Sequence, residues 1–146
     1  MNKFIKYIFV LFLSISGNFI VAQTLDVHIK NIRNTKGQLC LAIFADEESF
    51  KGEKPCWNLY CSKKNIMNNE FRIQIPFRPG KWAFSVLDDE NKSGKMEYNL
   101  IGIPKEGVGF SNYFLHGLHR PVFNDFCFVI TKNETRIITV RMKYFL

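Results

Sequence analysis

The sequence predicts an all-β protein, a two-sheet antiparallel sandwich of about seven strands, immunoglobulin-like or transthyretin-like. Short segments alternate apolar and polar side chains with a period of two, and clusters of Gly, Pro, Asn and Asp separate them. No long stretch carries the apolar repeat of an amphipathic helix. The length of 146 residues fits one domain.

The first elements follow from these patterns. Residues 24–32 alternate apolar and polar side chains and predict a half-buried strand. Residues 34–37 predict a turn, and residues 38–45 are apolar on both faces, as in a central strand. Asp46 is a candidate N-cap for one helical turn over residues 46–51, which has no Glu in the capping-box position.

The middle of the chain is less regular. Residues 52–69 contain Gly, Pro and a run of Asn and Lys, and they predict a loop. Residues 71–77 alternate, and residues 78–80 predict a turn that leads into a strand at residues 81–87. That strand runs directly into the polar, Gly-rich stretch at residues 88–112.

The last third of the chain again predicts strands. Residues 122–130 are strongly apolar, residues 132–134 predict a turn, and residues 135–145 alternate as a terminal strand with one wet face.

A basic start and an apolar run mark residues 1–22 as a secretory signal peptide. The apolar run is short for a membrane-spanning helix, so cleavage before Gln23 is favoured over a retained anchor. The mature chain would be a single domain of residues 23–146, and loss of Lys3 and Lys6 would lower its formal net charge from +7 to +5. We therefore expect a secreted protein, periplasmic or at the cell surface, with no nucleic-acid partner.

Four cysteines follow the predicted cleavage site: Cys40, Cys56, Cys61 and Cys127. An even number in an oxidising compartment favours disulfides. Cys56 and Cys61 lie close in the predicted loop, so we predict a bond between them. Cys40 and Cys127 lie in apolar strands and could pair or remain buried thiols.

A candidate calcium site lies at the start of the 88–112 stretch. Oxygen-bearing groups alternate there, and Gly94 permits a sharp turn. The ligands would be the side chains of Asp89, Asn91, Ser93 and Glu97 and the carbonyl of Lys95. The alternative is a polar turn held by Asx-type hydrogen bonds to its own backbone. Calcium is the only cofactor that the sequence suggests.

Residues 102–112, GIPKEGVGFSN, carry a resemblance. With the preceding Pro-Gly-aromatic strand, the acidic loop and the turn at residues 34–37, they resemble the bacterial family called domain of unknown function 2141. The resemblance implies a small secreted β-sandwich and no assigned activity. That family often has His, Asn and Asp where this chain has Asp88, Ser93 and Glu97, which weakens the expected calcium site.

The same segment allows two interpretations of its own. Its glycines could let a backbone approach a ligand closely, or they could belong to a structural loop that packs Ile103, Val108 and Phe110 on the end of the sandwich. Glu106 could complete a cation site from this second segment.

We expect a monomeric binding or structural module, not an enzyme, with a glycan or cell-envelope partner. A carbohydrate-binding module is one alternative, and its exposed aromatic groups would come from Trp57, Tyr60, Trp82 or Tyr113. Because large aromatic side chains dominate cores, Trp82 in its strand is expected to be core. A small hydrolase using His116, His119 and Asp125 is the other alternative, although no nucleophile motif accompanies them.

Overall fold

The computed structural model describes residues 23–146, and the predicted signal peptide lies outside them. Within this range the chain forms eight strands and two short helices. They are β1 (Thr24–Lys30), β2 (Gln38–Phe44), α1 (Glu47–Lys51), β3 (Trp57–Ser62), β4 (Phe71–Pro76), β5 (Gly80–Asp89), β6 (Gly107–Phe110), α2 (Phe123–Phe126), β7 (Cys127–Ile130) and β8 (Thr135–Arg141). The prediction of an all-β sandwich is confirmed. None of the helices in this range is long and apolar enough to cross a membrane.

The smaller sheet has three strands in the order β4-β1-β8. β1 runs antiparallel to β4 and parallel to β8, with Val27 opposite both Ile73 and Ile138. The alternation predicted for β1 is observed, because Leu25, Val27 and Ile29 are all fully buried.

The larger sheet has five strands. β3, β2, β5 and β6 are neighbours in that order, and β7 also pairs with β5. The long strand β5 binds β7 along Gly80–Ala83 and β6 along Ser85–Asp88, so β6 and β7 lie end to end on the same side of it.

The main core lies between the two sheets. Alternate residues of the central strands fill it, as the two-residue period requires. Its fully buried members include Leu39, Leu41, Ile43, Phe84, Ile138 and Val140. Trp82 belongs to this core with an exposed fraction of 8%, and its ring packs edge-to-face on Phe77 at 5.2 Å. The prediction that Trp82 is a core residue is confirmed.

A second apolar cluster covers the opposite face of the five-stranded sheet. α1, α2 and the segment between β6 and α2 place aromatic rings on it, with Phe126 packed edge-to-face on Phe50 at 4.8 Å and on Phe110 at 5.0 Å. Because both faces of this sheet are covered, its central strand β2 is apolar on both sides, as predicted.

The helical turn predicted after β2 is present as α1. The Asp46 side chain accepts a hydrogen bond from the Ser49 backbone N–H at 2.7 Å. In return, the Ser49 hydroxyl oxygen accepts a hydrogen bond from the Asp46 backbone N–H at 3.2 Å. Ser49 therefore takes the capping-box position that Glu often occupies, and the box is complete without a Glu.

The prediction of a loop at residues 52–69 is wrong for residues 57–62, which form β3. This edge strand pairs with β2, with Leu59 opposite Leu41. Its exposed, polar outer side chains hide the strand pattern, because an edge strand has little to bury.

β3 also removes the basis of the predicted Cys56–Cys61 disulfide. The Cys56 N–H donates to the Ile43 carbonyl at 2.9 Å, and Cys61 lies opposite Leu39 at the other end of the strand. An extended chain of this length separates the two Cα atoms by about 16 Å, whereas a disulfide requires less than about 7 Å. All four cysteines are free thiols in the structure, so this prediction is wrong.

Candidate functional site: a pocket beside a buried charge network

A pocket of about 420 Å³ opens over the outer face of the five-stranded sheet. Its floor consists of outward-facing strand residues, which alternate with those that fill the main core. These floor residues are Cys40, Ala42 and Phe44 of β2, Tyr60 of β3, Ser85 and Leu87 of β5, and Val108 and Phe110 of β6. The floor is thus mainly apolar.

Two segments form the walls of the pocket. One is the loop before β6, which contributes Met96, Tyr98 and Pro104. The other is the segment before α2, which contributes Leu115, Leu118, His119 and Arg120. Polar and charged groups therefore lie at the rim, above an apolar floor.

Arg120 fixes the second wall to helix α1. Its guanidinium donates to the Phe50 carbonyl at 2.9 Å and lies 4.6 Å from the centre of the Phe50 ring. Glu53 lies 3.7 Å from the same group. Because these contacts bind the segment to a helix on the sheet, the wall is pre-formed.

The residues of the predicted calcium site lie together in one loop and bind one another. Asn91 donates to the Glu97 carboxylate at 2.9 Å, and the Ser93 hydroxyl donates to the Lys95 carbonyl at 3.0 Å. Asp89 is buried and accepts from the N–H groups of Ser93 and Gly94, both at 2.9 Å.

Burial raises the pKa of Asp89, but hydrogen bonds from Gln38 and from the Gly94 and Ser93 N–H groups hold it below its usual value. These contacts are those of a polar turn. Within residues 23–146 no three His, Cys, Asp or Glu side chains are grouped so that they could hold a metal ion. The calcium site stays a prediction.

Glu106 is the exception in this region. Its exposed fraction is 5%, and neither carboxylate oxygen has a hydrogen-bond partner among residues 23–146. Burial, together with the negative charges of Asp89, Glu97 and Asp88, raises the pKa of Glu106 to about 7. The Glu90 backbone is close enough to oppose this shift, although it does not reach hydrogen-bond geometry.

The glycines of the same segment serve packing. A Cβ on Gly107 would lie 2.3 Å from the Tyr144 ring, and one on Gly109 would lie 2.5 Å from a Val140 methyl. Val108 and Phe110 are buried on the other face of β6. These contacts support a structural role for these two glycines, because they let the end of the chain lie directly against β6.

A buried ion pair lies at the end of the main core. Lys63 and Asp88 are both completely buried and form a salt bridge. The Lys63 ammonium also lies 3.2 Å from the Asn34 side-chain oxygen, and the Tyr144 hydroxyl donates to Asp88 at 2.6 Å. The network therefore joins the turn after β1, the end of β3, the end of β5 and the C-terminal segment.

Sequence reasoning missed this network, yet a signal for half of it exists. Trp82, Phe84 and Val86 face the core, and the same two-residue period brings Asp88 to the core face. Lys63 gives no such signal, because β3 itself was not predicted.

Cys40 borders both the pocket and the Asp89 turn. Its thiol lies 3.6 Å from an Asp89 oxygen, to which it donates. Burial, together with the nearby Asp89 charge, raises the pKa of Cys40 to about 12, so the thiol is protonated at neutral pH.

The residues of the proposed hydrolase do not form a constellation. Asp125 accepts a hydrogen bond from the Val122 N–H at the start of α2, while the exposed His116 packs edge-to-face on Phe114 at 5.2 Å. His119 lines the pocket. The hydrogen bonds of the described range include none that joins any two of these three residues.

The aromatic residues of the glycan alternative are also dispersed. Trp82 lies in the core, and Trp57 packs edge-to-face on Phe77 at 6.4 Å. Tyr113 is half-buried against the outer apolar cluster, whereas Tyr60 is 53% exposed at the pocket. Only Tyr60 of the four is both exposed and next to the pocket.

The fold and the pocket define a class: a small β-sandwich with a pre-formed cavity over one sheet. A family model described as an uncharacterized protein conserved in bacteria (DUF2141) matches residues 27–138. The chain belongs to this family, as the resemblance of its loop segments implied. A comparison with curated proteins and one with solved structures each gave no match.

Proposed function

We propose that the protein is an exported binding module that takes a small, mostly apolar molecule into the pocket over the five-stranded sheet. The observation that carries the proposal is the pocket of about 420 Å³ with an apolar floor and a polar rim. Ligand sites in proteins combine this size with this distribution of groups.

The environment of Cys40 supports binding over covalent chemistry. It is the only thiol that lines the pocket among the described residues, and its raised pKa keeps it un-ionised at neutral pH. A protonated thiol is a poor nucleophile, so the pocket lacks the activated group that acyl transfer through cysteine requires.

The proposal is tested by filling the pocket. Ala42 lies on its floor, so Ala42→Trp should occupy the space of a ligand. Thr139→Trp is the matched control, because Thr139 is exposed on the other sheet. The probe is an apolar fluorescent dye such as anilinonaphthalene sulfonate, titrated into folded protein.

We expect saturable binding by the native protein and by Thr139→Trp, and at least about tenfold weaker binding by Ala42→Trp. Near-ultraviolet circular dichroism verifies that both variants are folded. Equal dye affinity in the two variants would place the dye elsewhere and contradict the proposal.

A second candidate function is carbohydrate binding at the pocket mouth. Tyr60 and Tyr98 both line the pocket and are 53% and 50% exposed. Exposed aromatic faces at a mouth can pack against sugar rings. Tyr60→Ala should abolish retention on an immobilised oligosaccharide panel without changing the melting temperature, and undiminished retention would exclude this role of Tyr60.

A calcium-stabilised loop remains part of the proposal. The unpartnered Glu106 lies near Asp89 and Glu97, which would supply oxygen ligands, and binding would require the Asp89 hydrogen bonds to rearrange. At a calcium concentration ten times the Kd the fold would gain about 1.4 kcal/mol. Thermal unfolding of the native protein and of Asp89→Ala in millimolar calcium or chelator tests this, and an absent shift together with no heat of binding contradicts it.

A further inference from the structure

The loop before β6 ends in a turn that presents two apolar side chains to solvent. Leu100 is fully exposed, and Ile101 is 78% exposed. They are adjacent and lie at the tip of the loop, whose two arms are joined by the backbone bridge between Tyr98 and Pro104. The two side chains form a small exposed apolar patch, and such patches occur at surfaces that contact proteins or membranes.

Hydrogen bonds to Asn99 hold the turn in this conformation. Its side-chain oxygen accepts from the N–H groups of Ile101 at 3.1 Å and Ile103 at 2.9 Å. Its backbone N–H donates to the Ile103 carbonyl at 2.9 Å, and its carbonyl accepts from the Gly102 N–H at 3.0 Å. The turn is therefore built around Asn99 and does not need a partner to form.

The exposed charged side chains of the same loop, between β5 and β6, are mainly cationic. Lys92, Lys95 and Lys105 have exposed side chains, and none of them takes part in an ion pair within residues 23–146. The acidic side chains of this loop are less accessible to solvent. Glu106 is buried, and Glu97 is half-buried and accepts a hydrogen bond from Asn91. The loop that carries the apolar tip therefore also carries three exposed lysines without an ion-pair partner among the described residues.

We infer that this turn docks on the surface of a lipid bilayer that contains anionic lipid. Leu100 and Ile101 would enter the boundary between headgroups and acyl chains, and the lysines would contact lipid phosphates. A convex tip of two side chains buries far less area than the roughly 1,000 Å² that a stable protein interface needs. A bilayer has no such requirement, because it closes around whatever is inserted.

The test is sedimentation with sucrose-loaded vesicles of equimolar phosphatidylcholine and phosphatidylglycerol, with pure phosphatidylcholine for comparison. The full chain and its variants share one N-terminus, so only the turn differs between them. Leu100→Ser/Ile101→Ser removes the apolar tip. Met67→Ser/Ile137→Ser is the matched control, since these residues are 76% and 58% exposed elsewhere.

The tip variant should bind anionic vesicles at least about tenfold more weakly than the native protein, and the control variant should bind as the native protein does. Replacing Lys92, Lys95 and Lys105 with Gln should weaken binding to anionic but not to neutral vesicles, and added salt should have the same effect. In Leu100→Trp, the emission should shift to the blue and be quenched by brominated lipid.

Three results would overturn the inference. The native protein could fail to bind anionic vesicles at low salt, or the tip variant could bind them as well as the native protein does. The native protein could also self-associate through Leu100 in the absence of lipid, in which case the turn contacts a second copy. The inference does not rest on the pocket, so Ala42→Trp should retain vesicle binding.

Discussion

Replacing Lys63 with Met should destabilise the fold more than any other single lysine substitution in the described part of the chain. Lys63 is the completely buried partner of Asp88, and both side chains lie out of contact with solvent. The variant keeps the length and apolar stem of the side chain and removes its charge. Asp88 would then be a buried carboxylate that retains only neutral donors, including the Tyr144 hydroxyl.

Breaking one side of a buried ion pair costs about 3–5 kcal/mol, because the remaining charge is uncompensated. Asp88 keeps the Tyr144 hydrogen bond, so we expect about 3 kcal/mol, the lower end of this range. For a domain of this size, that loss lowers the melting temperature by roughly 10 °C. Native domains have about 5–15 kcal/mol, so the variant should still fold.

Urea unfolding of the native protein, Lys63→Met and Lys64→Met measures the effect. Lys64 is the exposed neighbour, and its replacement should change the free energy of unfolding by less than about 0.5 kcal/mol. The double variant Lys63→Met/Asp88→Leu should recover much of the loss, since it removes both charges. A loss below about 1 kcal/mol in Lys63→Met, or a double variant less stable than Lys63→Met, would refute this reasoning.

Three further predictions concern titrating groups. The pKa of Glu106 is about 7 in the folded protein against its usual 4.5, so ionisation of this group destabilises the fold as pH rises from 4.5 to 7. Glu106→Gln should therefore gain more stability over the native protein at pH 8 than at pH 4. Equal gains at the two pH values would contradict this. Hydrogen bonding to Arg72 lowers the pKa of Asp26 from 3.8 to about 2, so the stability from Asp26 is present above pH 3.8 and is lost as pH falls towards 2. In Arg72→Gln the pKa of Asp26 should rise, as carboxyl NMR shifts will report, whereas an unchanged value would assign the effect to another group. The exposed Cys56 should react with iodoacetamide at pH 8 at least about tenfold faster than Cys40, because burial and a raised pKa protect Cys40. Peptide mapping that found equal rates would contradict this protection of Cys40.

The strands that face the core could be predicted from the sequence. Apolar residues recur every second position in β1, and β2 is apolar on both faces because helices and loops cover its outer side. Such patterns record burial directly. β3 could not be predicted, because it lies at an edge, where the pattern of burial is weak.

The site was predicted only in part, because it depends on contacts between distant segments. The spacing of Asp89, Asn91 and Glu97 correctly placed polar groups in one turn, but spacing does not show whether they bind a cation or one another. The pocket joins outward-facing residues of four strands to two loops, and no local pattern indicates this assembly. The Cys56–Cys61 prediction failed for the same reason, since proximity in sequence is not proximity on an extended strand.

The pairing of β1 with β8 has a consequence for the order of folding. β1 is the central strand of its sheet, and Thr24 lies opposite Thr135. The three-stranded sheet therefore cannot close until β8 is available, and until then β1 has a neighbour on one side only. Contacts of such long sequence separation slow folding to the millisecond-to-second range. If the chain is exported from its N-terminus, as its first 22 residues predict, this delay would keep the three-stranded sheet open during passage.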